Sequence, residues 1–386
     1  MKAMNILLMS PTFFPVRGGT EQVLAEIAKR LAKKNGVTLI TPWLKGANDT
    51  RYEKELSTHI IRIPSINITG LNVVIPQFAL LFYLPYFFLK QRLSGKKIDV
   101  VHLFHIYNLG GIVALWEKIM RFPLVISLTG WDTYDPVKPL PKAINPYLAW
   151  VMNSADAVTT MCTHMKKSAE AQGCRKEIAL IPHGTTMPEL KEKKGFDLRK
   201  KYGIEQDRKI VFSLQRLFPR KGMEYLIRAI PLVIQKNSNV TFVIGGKGPE
   251  KERLETLSRE LGVETHIVFA GFIPDDELKN YYAAANLFAL PSLYEGFGVV
   301  YVDALSCGVP VVTTRCGGPE DIITHDNGIL VPIRDEQAFA DALICALEKQ
   351  WDKKKISKSA QQYDWKKIVE QYQEIYQKGC GGQGIR

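Results

Sequence analysis

Short apolar runs and stretches of helical periodicity alternate twice along this chain, with a charged interruption between the two series. The first series predicts a strand over residues 4–10, a loop over 11–19 and a helix over 20–34, in which Val23, Leu24, Ile27, Ala28 and Leu31 share one face. Further strands follow over 37–41, 59–63, 99–104, 124–128, 155–161 and 178–184, with a helix up to residue 172 before the last. Residues 188–201, PELKEKKGFDLRKK, are charged and poor in large apolar groups, which marks a linker or an exposed helix. The second series has strands over 210–214, 240–246, 267–270 and 286–291. Its helices run through 234, from 299 until Gly308 and Pro310, through 347, and over 365–377. The glycine-rich end, 379–382, reads as loose.

Alternation of this kind builds open parallel sheets covered by helices on both faces. The expected fold class is therefore α/β, with two Rossmann-like, doubly wound domains facing across a cleft. The 386 residues are too many for one comfortable core, and the predicted division is 1–187, 188–364 and a terminal helix in 365–386.

One run breaks the pattern. Residues 73–89, VVIPQFALLFYLPYFFL, are the most hydrophobic stretch, yet Pro76, Gln77 and Pro85 interrupt them and they fall short of the roughly 20 apolar residues a spanning helix needs. Two readings fit: a buried helix of the first domain, or an aromatic segment dipping into a membrane interface beneath Lys90, Arg92, Lys96 and Lys97. The second would set the ligand of the first domain beside a lipid surface.

Charge bears on the same choice. The formal net charge is +12, and residues 1–190 carry 22 Lys and Arg against 13 Asp and Glu. The basic residues are scattered and match no nucleic-acid module, so an anionic membrane surface suits them better than nucleic acid. The six cysteines show neither a C-x-x-C pair nor metal-type spacing, which points to free thiols in a reducing, cytoplasmic compartment, and residues 73–97 would add peripheral contact at the inner membrane face. The apolar segment after Lys2 is too short for a signal peptide and reads as a first buried strand.

The candidate chemistry sits in loops at strand ends, where open α/β sheets bind ligands. Gly18 and Gly19 precede the first helix, but they are not the G-x-G-x-x-G of dinucleotide binding, which argues against a dehydrogenase. Arg216 and Lys221 stand five apart after a strand and can converge on one anion, the arginine forking across two oxygens and the lysine adding a point charge, while Arg220 between them reads as exposed. Glu295 precedes Gly296, Phe297 and Gly298, whose bare amides open the helix beginning at Val299, and Asp303 follows two turns on. A helix start of this kind suits an oxygen-rich or anionic ligand. Gly246 closes a strand, and Phe272 and Ile273 follow another as a candidate apolar platform. His105, Trp131, Asp132 and His183 lie at strand ends of the first domain as ligand candidates.

The run from Glu295 through Asp303 to ALSCGVPVV, together with Arg216-x-x-x-x-Lys221-Gly222, resembles the signature of the retaining nucleotide-sugar glycosyltransferases of family 4, which have the GT-B fold. The resemblance spans nearly the whole chain, most tightly over 210–332. It implies that Glu295 holds sugar hydroxyls, that the Gly296, Phe297, Gly298 and Val299 amides hold sugar and phosphate, and that Asp303 binds the nucleotide ribose. In the family the last of these is usually Glu, one methylene longer. The resemblance further implies that Arg216 and Lys221 clamp the diphosphate, that Gly18 and Gly19 lie against it, that Gly246 lies near the nucleotide, and that Tyr363-Asp364-Trp365 returns the last helix to the first domain. The family often has His where this chain has Thr129, so no catalytic histidine carries over there. The implied reaction is transfer of a sugar from a UDP- or GDP-linked donor to a hydroxyl acceptor, without a cofactor and without a metal, since no Asp-x-Asp occurs. Two rivals share the architecture, a sugar-nucleotide epimerase and a noncatalytic nucleotide-sugar binding protein.

Overall fold

The structure, a computed structural model, describes residues 3–15, 19–43, 51–65, 71–130, 141–186 and 197–380. It divides into two compact units, one of Met1–Gly184 with Trp365–Arg386 and the other of Thr185–Asp364. The sequence sets the boundary at Pro188, which lies outside the described residues, as do most of the charged residues that suggest a linker.

The first unit is a parallel sheet of seven strands: β1 (Asn5–Met9), β2 (Gly36–Pro42), β3 (His59–Ile63), β4 (Val100–Phe104), β5 (Leu124–Leu128), β6 (Ala157–Thr160) and β7 (Ile178–Leu180). They lie in the order β3-β2-β1-β4-β5-β6-β7. Every residue of β4 and β5 is buried, as expected of central strands covered on both faces. The strand predicted over 178–184 pairs only as far as Leu180, because beyond Ile181 the chain leaves the sheet for the crossing at Gly184.

The second unit has six parallel strands, β8 (Lys209–Leu214), β9 (Val240–Gly245), β10 (Ile267–Gly271), β11 (Leu287–Leu290), β12 (Val311–Thr314) and β13 (Gly328–Val331), in the order β10-β9-β8-β11-β12-β13. In both sheets the order reverses once, between β1 and β4 and between β8 and β11. At such a switch point the loops leave in opposite directions and open a crevice beyond the carboxyl ends of the strands. The loops carrying Arg216 and Glu295 follow β8 and β11, and those carrying Gly19 and His105 follow β1 and β4.

The hydrophobic run becomes one helix, Leu71–Leu93, with both prolines inside it. Its two faces divide the two sequence readings between them. Leu80, Leu84 and Phe87 are buried, whereas Phe78, Phe82, Tyr86, Leu89 and Leu93 form a stripe that is more than half exposed at every position. Among the described residues no helix is long and apolar enough to cross a membrane.

The terminal helix Trp365–Cys380 belongs to the first unit and buries Trp365, Ile368, Val369, Tyr372 and Tyr376 in its core. The Trp365 ring lies beneath the Arg30 guanidinium at 5.4 Å, and a Cβ on Gly184 would sit 2.4 Å from that ring. Tyr376 reaches further in, its hydroxyl 2.6 Å from Nδ1 of the fully buried His102. Cys162, Cys174, Cys307, Cys316 and Cys345 are free thiols.

Candidate active site

At the carboxyl edge of the second sheet the loops after β8, β9, β11 and β12 are stitched together through their backbones. Gly246 has φ of 122°, and a Cβ there would lie 1.7 Å from the carbonyl oxygen of Gln215, so no other residue lets the β9 loop lie on the β8 loop. Gly222 does the same against the β11 loop, with φ of 62° and a would-be Cβ 2.1 Å from the Pro291 carbonyl oxygen. Leu293 N–H donates to Arg220 at 2.9 Å, Glu295 N–H to Cys316 at 3.0 Å and Gly318 N–H to Glu295 at 2.9 Å. Glu295 is therefore held in a short parallel bridge to Gly317 instead of on a free loop.

That frame fixes a buried charge pair. Lys221 Nζ donates to Glu295 Oε1 at 2.6 Å, and Ser292 Oγ donates to the same oxygen at 2.7 Å. Glu295 is 8% exposed and the Lys221 side chain 17%. Ser292 is held in turn by the Thr314 hydroxyl, which donates to its carbonyl. Ionised groups so enclosed persist only when paired, which explains why both belong to one network. Cys316 is close by, but burial first and the Glu295 charge second push its thiol up to about 12, so it stays protonated and is no nucleophile at neutral pH.

Arg216 and Lys221, expected to meet on one anion, have separate partners here. Arg216 is exposed with its guanidinium 5.5 Å from the Phe218 ring, as suits two like charges on one short loop. Arg220 is half-buried instead of exposed, since its carbonyl is tied to Leu293.

The helix Val299–Ser306 begins at Gly298, which has φ of 92° at the N-cap. Phe297 just before it is buried, its ring 5.6 Å from that of Tyr363, so the ring is taken up by packing. Gly296 and Val299 flank it, half-buried. Asp303, also half-buried, accepts a hydrogen bond on Oδ1 from the Thr185 hydroxyl. Burial pushes its carboxyl up to about 6, with the Thr185 bond and the Lys279 charge pulling the other way. On the far side, Phe272 is exposed with Lys247 Nζ 5.8 Å from its ring, while Ile273 is buried against Gly245. Only Phe272 of that pair presents an open face.

Two family models cover this chain almost end to end: residues 17–187 match Glycosyltransferase Family 4, and residues 196–363 match Glycosyl transferases group 1. The chain belongs to glycosyltransferase family 4. It is 28% identical over 354 residues, 88% of each chain, to the GDP-mannose-dependent alpha-(1-6)-phosphatidylinositol monomannoside mannosyltransferase of Mycolicibacterium smegmatis. It is 25% identical over 381 residues, 95% of each chain, to the N-acetyl-alpha-D-glucosaminyl L-malate synthase of Bacillus anthracis. Its fold is that of the Anabaena HepE crystal structure in complex with UDP, with a TM-score of 0.79, 23% identity, and coverage of 97% of this chain and 100% of the other.

In the first unit of this family 4 glycosyltransferase, Gly19 is the first residue of the helix Gly19–Leu31, and Gly18 lies outside the described residues. Glu21 in the first turn is buried and accepts from Thr12 Oγ1 at 2.6 Å, which ties the β1 loop to the helix start. His105 leaves β4 with φ of 69°, a left-handed conformation that costs on the order of 1 kcal/mol and turns the chain into the helix Ile106–Met120. His183 is buried and burial lowers its pKa to about 3, so it is neutral. Trp131 and Asp132 lie outside the described residues.

Two site residues escape sequence reasoning. Ser292 had a signal, standing three residues before Glu295. Thr185 had none, because 118 residues separate it from Asp303.

Proposed function

We propose that the donor's nucleoside diphosphate lies on the loops of β8 to β12, with Arg216 and Lys221 on its phosphates, Glu295 on the sugar hydroxyls and Asp303 on the ribose. The observation that carries this reading is the enclosed Lys221–Glu295 pair. A cation and a carboxylate that share one buried point can exchange each other for the two halves of a sugar diphosphate, the ammonium taking phosphate and the carboxylate taking hydroxyl. The amides of Gly296, Phe297, Gly298 and Val299 and the start of the helix at Gly19 add donors for anionic oxygen. Gly246 keeps the backbone low beside the nucleotide, and Phe272 backs the base.

The bond that breaks joins the anomeric carbon to a phosphate oxygen. Positive charge then grows on the sugar ring and negative charge on the leaving diphosphate, so fixed cations at the phosphate stabilise the transition state more than the ground state. A donor phosphate oxygen takes the acceptor's proton on the same face and the configuration is retained. We assign charge neutralisation to Arg216 and Lys221, and transfer is expected to persist in EDTA.

The acceptor side falls to the first unit, with His105, His183, Trp131 and Asp132 as candidates. Relatives are named for both a lipid and a soluble acceptor. The exposed stripe of Phe78, Phe82 and Tyr86, followed by Lys90, Arg92, Lys96 and Lys97, supports the lipid-linked one and peripheral contact with an anionic membrane.

A thermal-shift screen of UDP- and GDP-sugars tests the donor assignment, since a ligand of the folded state raises its apparent stability. Release of UDP or GDP on adding a lipid acceptor tests transfer. Arg216→Ala and Glu295→Ala are each expected to abolish that release while the protein stays folded, and near-native turnover in either removes that residue from the reading. A sugar altered by enzyme and donor alone, without nucleotide release, would identify an epimerase. Saturable binding without turnover would identify a binding protein.

A further inference from the structure

We infer that Thr185 is a positioning residue for donor binding, its hydroxyl aiming the Asp303 carboxylate at the nucleotide ribose. The inference rests on the reading of Asp303 given above. Thr185 is 4% exposed and its backbone is fixed: its N–H donates to Tyr363 at 2.8 Å and it bridges Asp364. A β-branched side chain on a pinned backbone has little rotamer freedom, so its hydroxyl is a stationary donor. It engages Asp303 Oδ1, and no hydrogen bond to Oδ2 occurs among the described residues. One carboxylate oxygen is thus anchored and the other is left as an acceptor on a half-buried face. The length of the side chain matters here. A glutamate can bend toward a ribose through an additional rotatable bond, whereas an aspartate at this place in the helix reaches only where it is aimed.

The surroundings give the arrangement a pH signature. Besides Thr185, the groups around Asp303 are Lys279 and Tyr282 from the helix Asp275–Ala284 and Cys307 just past the end of its own helix. Lys279 favours the ionised carboxylate, and the Tyr282 and Cys307 groups are both raised by burial and stay neutral. Protonation of Asp303 as pH falls through about 6 removes an acceptor, so nucleotide affinity falls on the acid side. Without the Thr185 bond, which favours the ionised form, that acid limb moves to higher pH.

The test is calorimetric titration of UDP and of GDP into the wild type, Thr185→Val, Thr185→Ser and Asp303→Asn between pH 5 and 8. At pH 7 the Thr185→Val Kd is expected to rise on the order of tenfold, as for loss of one charge-assisted hydrogen bond, with its acid limb displaced to higher pH. Thr185→Ser, which keeps the hydroxyl, is expected to restore both the Kd and the limb. A Thr185→Val Kd and pH profile matching wild type, beside an impaired Asp303→Asn, overturns the role of Thr185 alone. Equal impairment of Thr185→Val and Thr185→Ser also overturns it, since only the backbone crossing would then be at stake. An Asp303→Asn protein with wild-type affinity instead removes the ribose reading beneath it.

Discussion

At Asp303 binding and folding make opposite demands. Burial raises its carboxyl to about 6 from the ordinary carboxylate value near 4, so the folded state holds a proton over a range where the unfolded state has lost it. Stability attributable to this group is therefore full below about pH 4, falls as pH rises toward 6, and is level above. Asp303→Asn should melt higher than wild type at pH 7 and lose that advantage by pH 4, and melting curves at the two pH values check it. A protein stabilised in this way yet poorer at binding nucleotide would mark Asp303 as kept for function. The two cations differ in the same manner. Removing Lys221 leaves Glu295 buried with only Ser292 on that oxygen, so Lys221→Ala should cost about 3–5 kcal/mol in denaturant unfolding. Arg216 is exposed, and Arg216→Ala should change stability by under about 0.5 kcal/mol while still abolishing transfer.

The terminal helix shows what the next scale adds. It was legible in the sequence as a helix, but its polar anchorage was not. His102 Nδ1 meets the Tyr376 hydroxyl at 2.6 Å and Nε2 meets Ser127 Oγ at 2.7 Å, with Thr159 Oγ1 beyond at 2.6 Å, a chain joining the helix to β4, β5 and β6. Burial lowers His102 to about 3, so it is neutral, and an unfolded chain binds a proton there below about pH 6.5 that the folded one does not. Stability from this histidine is thus lost as pH falls below that value. Tyr376→Phe should destabilise by about 1–3 kcal/mol by orphaning Nδ1, and hydrogen exchange should show the loss first in residues 365–380. Unchanged protection there would mean the apolar face alone holds the helix. The same contrast runs through the molecule. Most strands announced themselves because buried parallel strands are continuous apolar runs, though Gly328–Val331 went unread, and the Glu295 and Arg216 loops stood out because their residue types are rare together. The helix Lys353–Ala360 did not, since only Ile356 and Ala360 of it are buried. Lys221 on Glu295 and Thr185 on Asp303 were invisible for another reason: partners 74 and 118 residues apart meet only once the second unit has folded and brought its segments together.

Over the whole molecule the charge and the exposed aromatic stripe become one question. A net charge of +12 would draw the chain to any polyanion, but the stripe on Leu71–Leu93 demands a surface that also accepts Phe78, Phe82 and Leu93. On the proposed reading a membrane interface offers both, at about 1 kcal/mol per basic residue held near anionic headgroups and roughly 25 cal/mol for each Å² of apolar surface removed from water. The two contributions separate with salt, because raising ionic strength to about 0.5 M shrinks the screening length to about 4 Å and leaves the apolar part intact. Co-sedimentation should show binding to phosphatidylglycerol-containing vesicles at low salt and a smaller remainder at high salt. Lys96→Glu with Lys97→Glu should remove mainly the salt-sensitive part. Phe78→Ser with Phe82→Ser should remove the remainder, while nucleotide still raises the melting temperature as in wild type, because that site lies in the other unit. Equal binding of both double variants and the wild type would leave the stripe without a membrane partner. The lipid-linked acceptor would then lose its main structural support, while the donor assignment would stand.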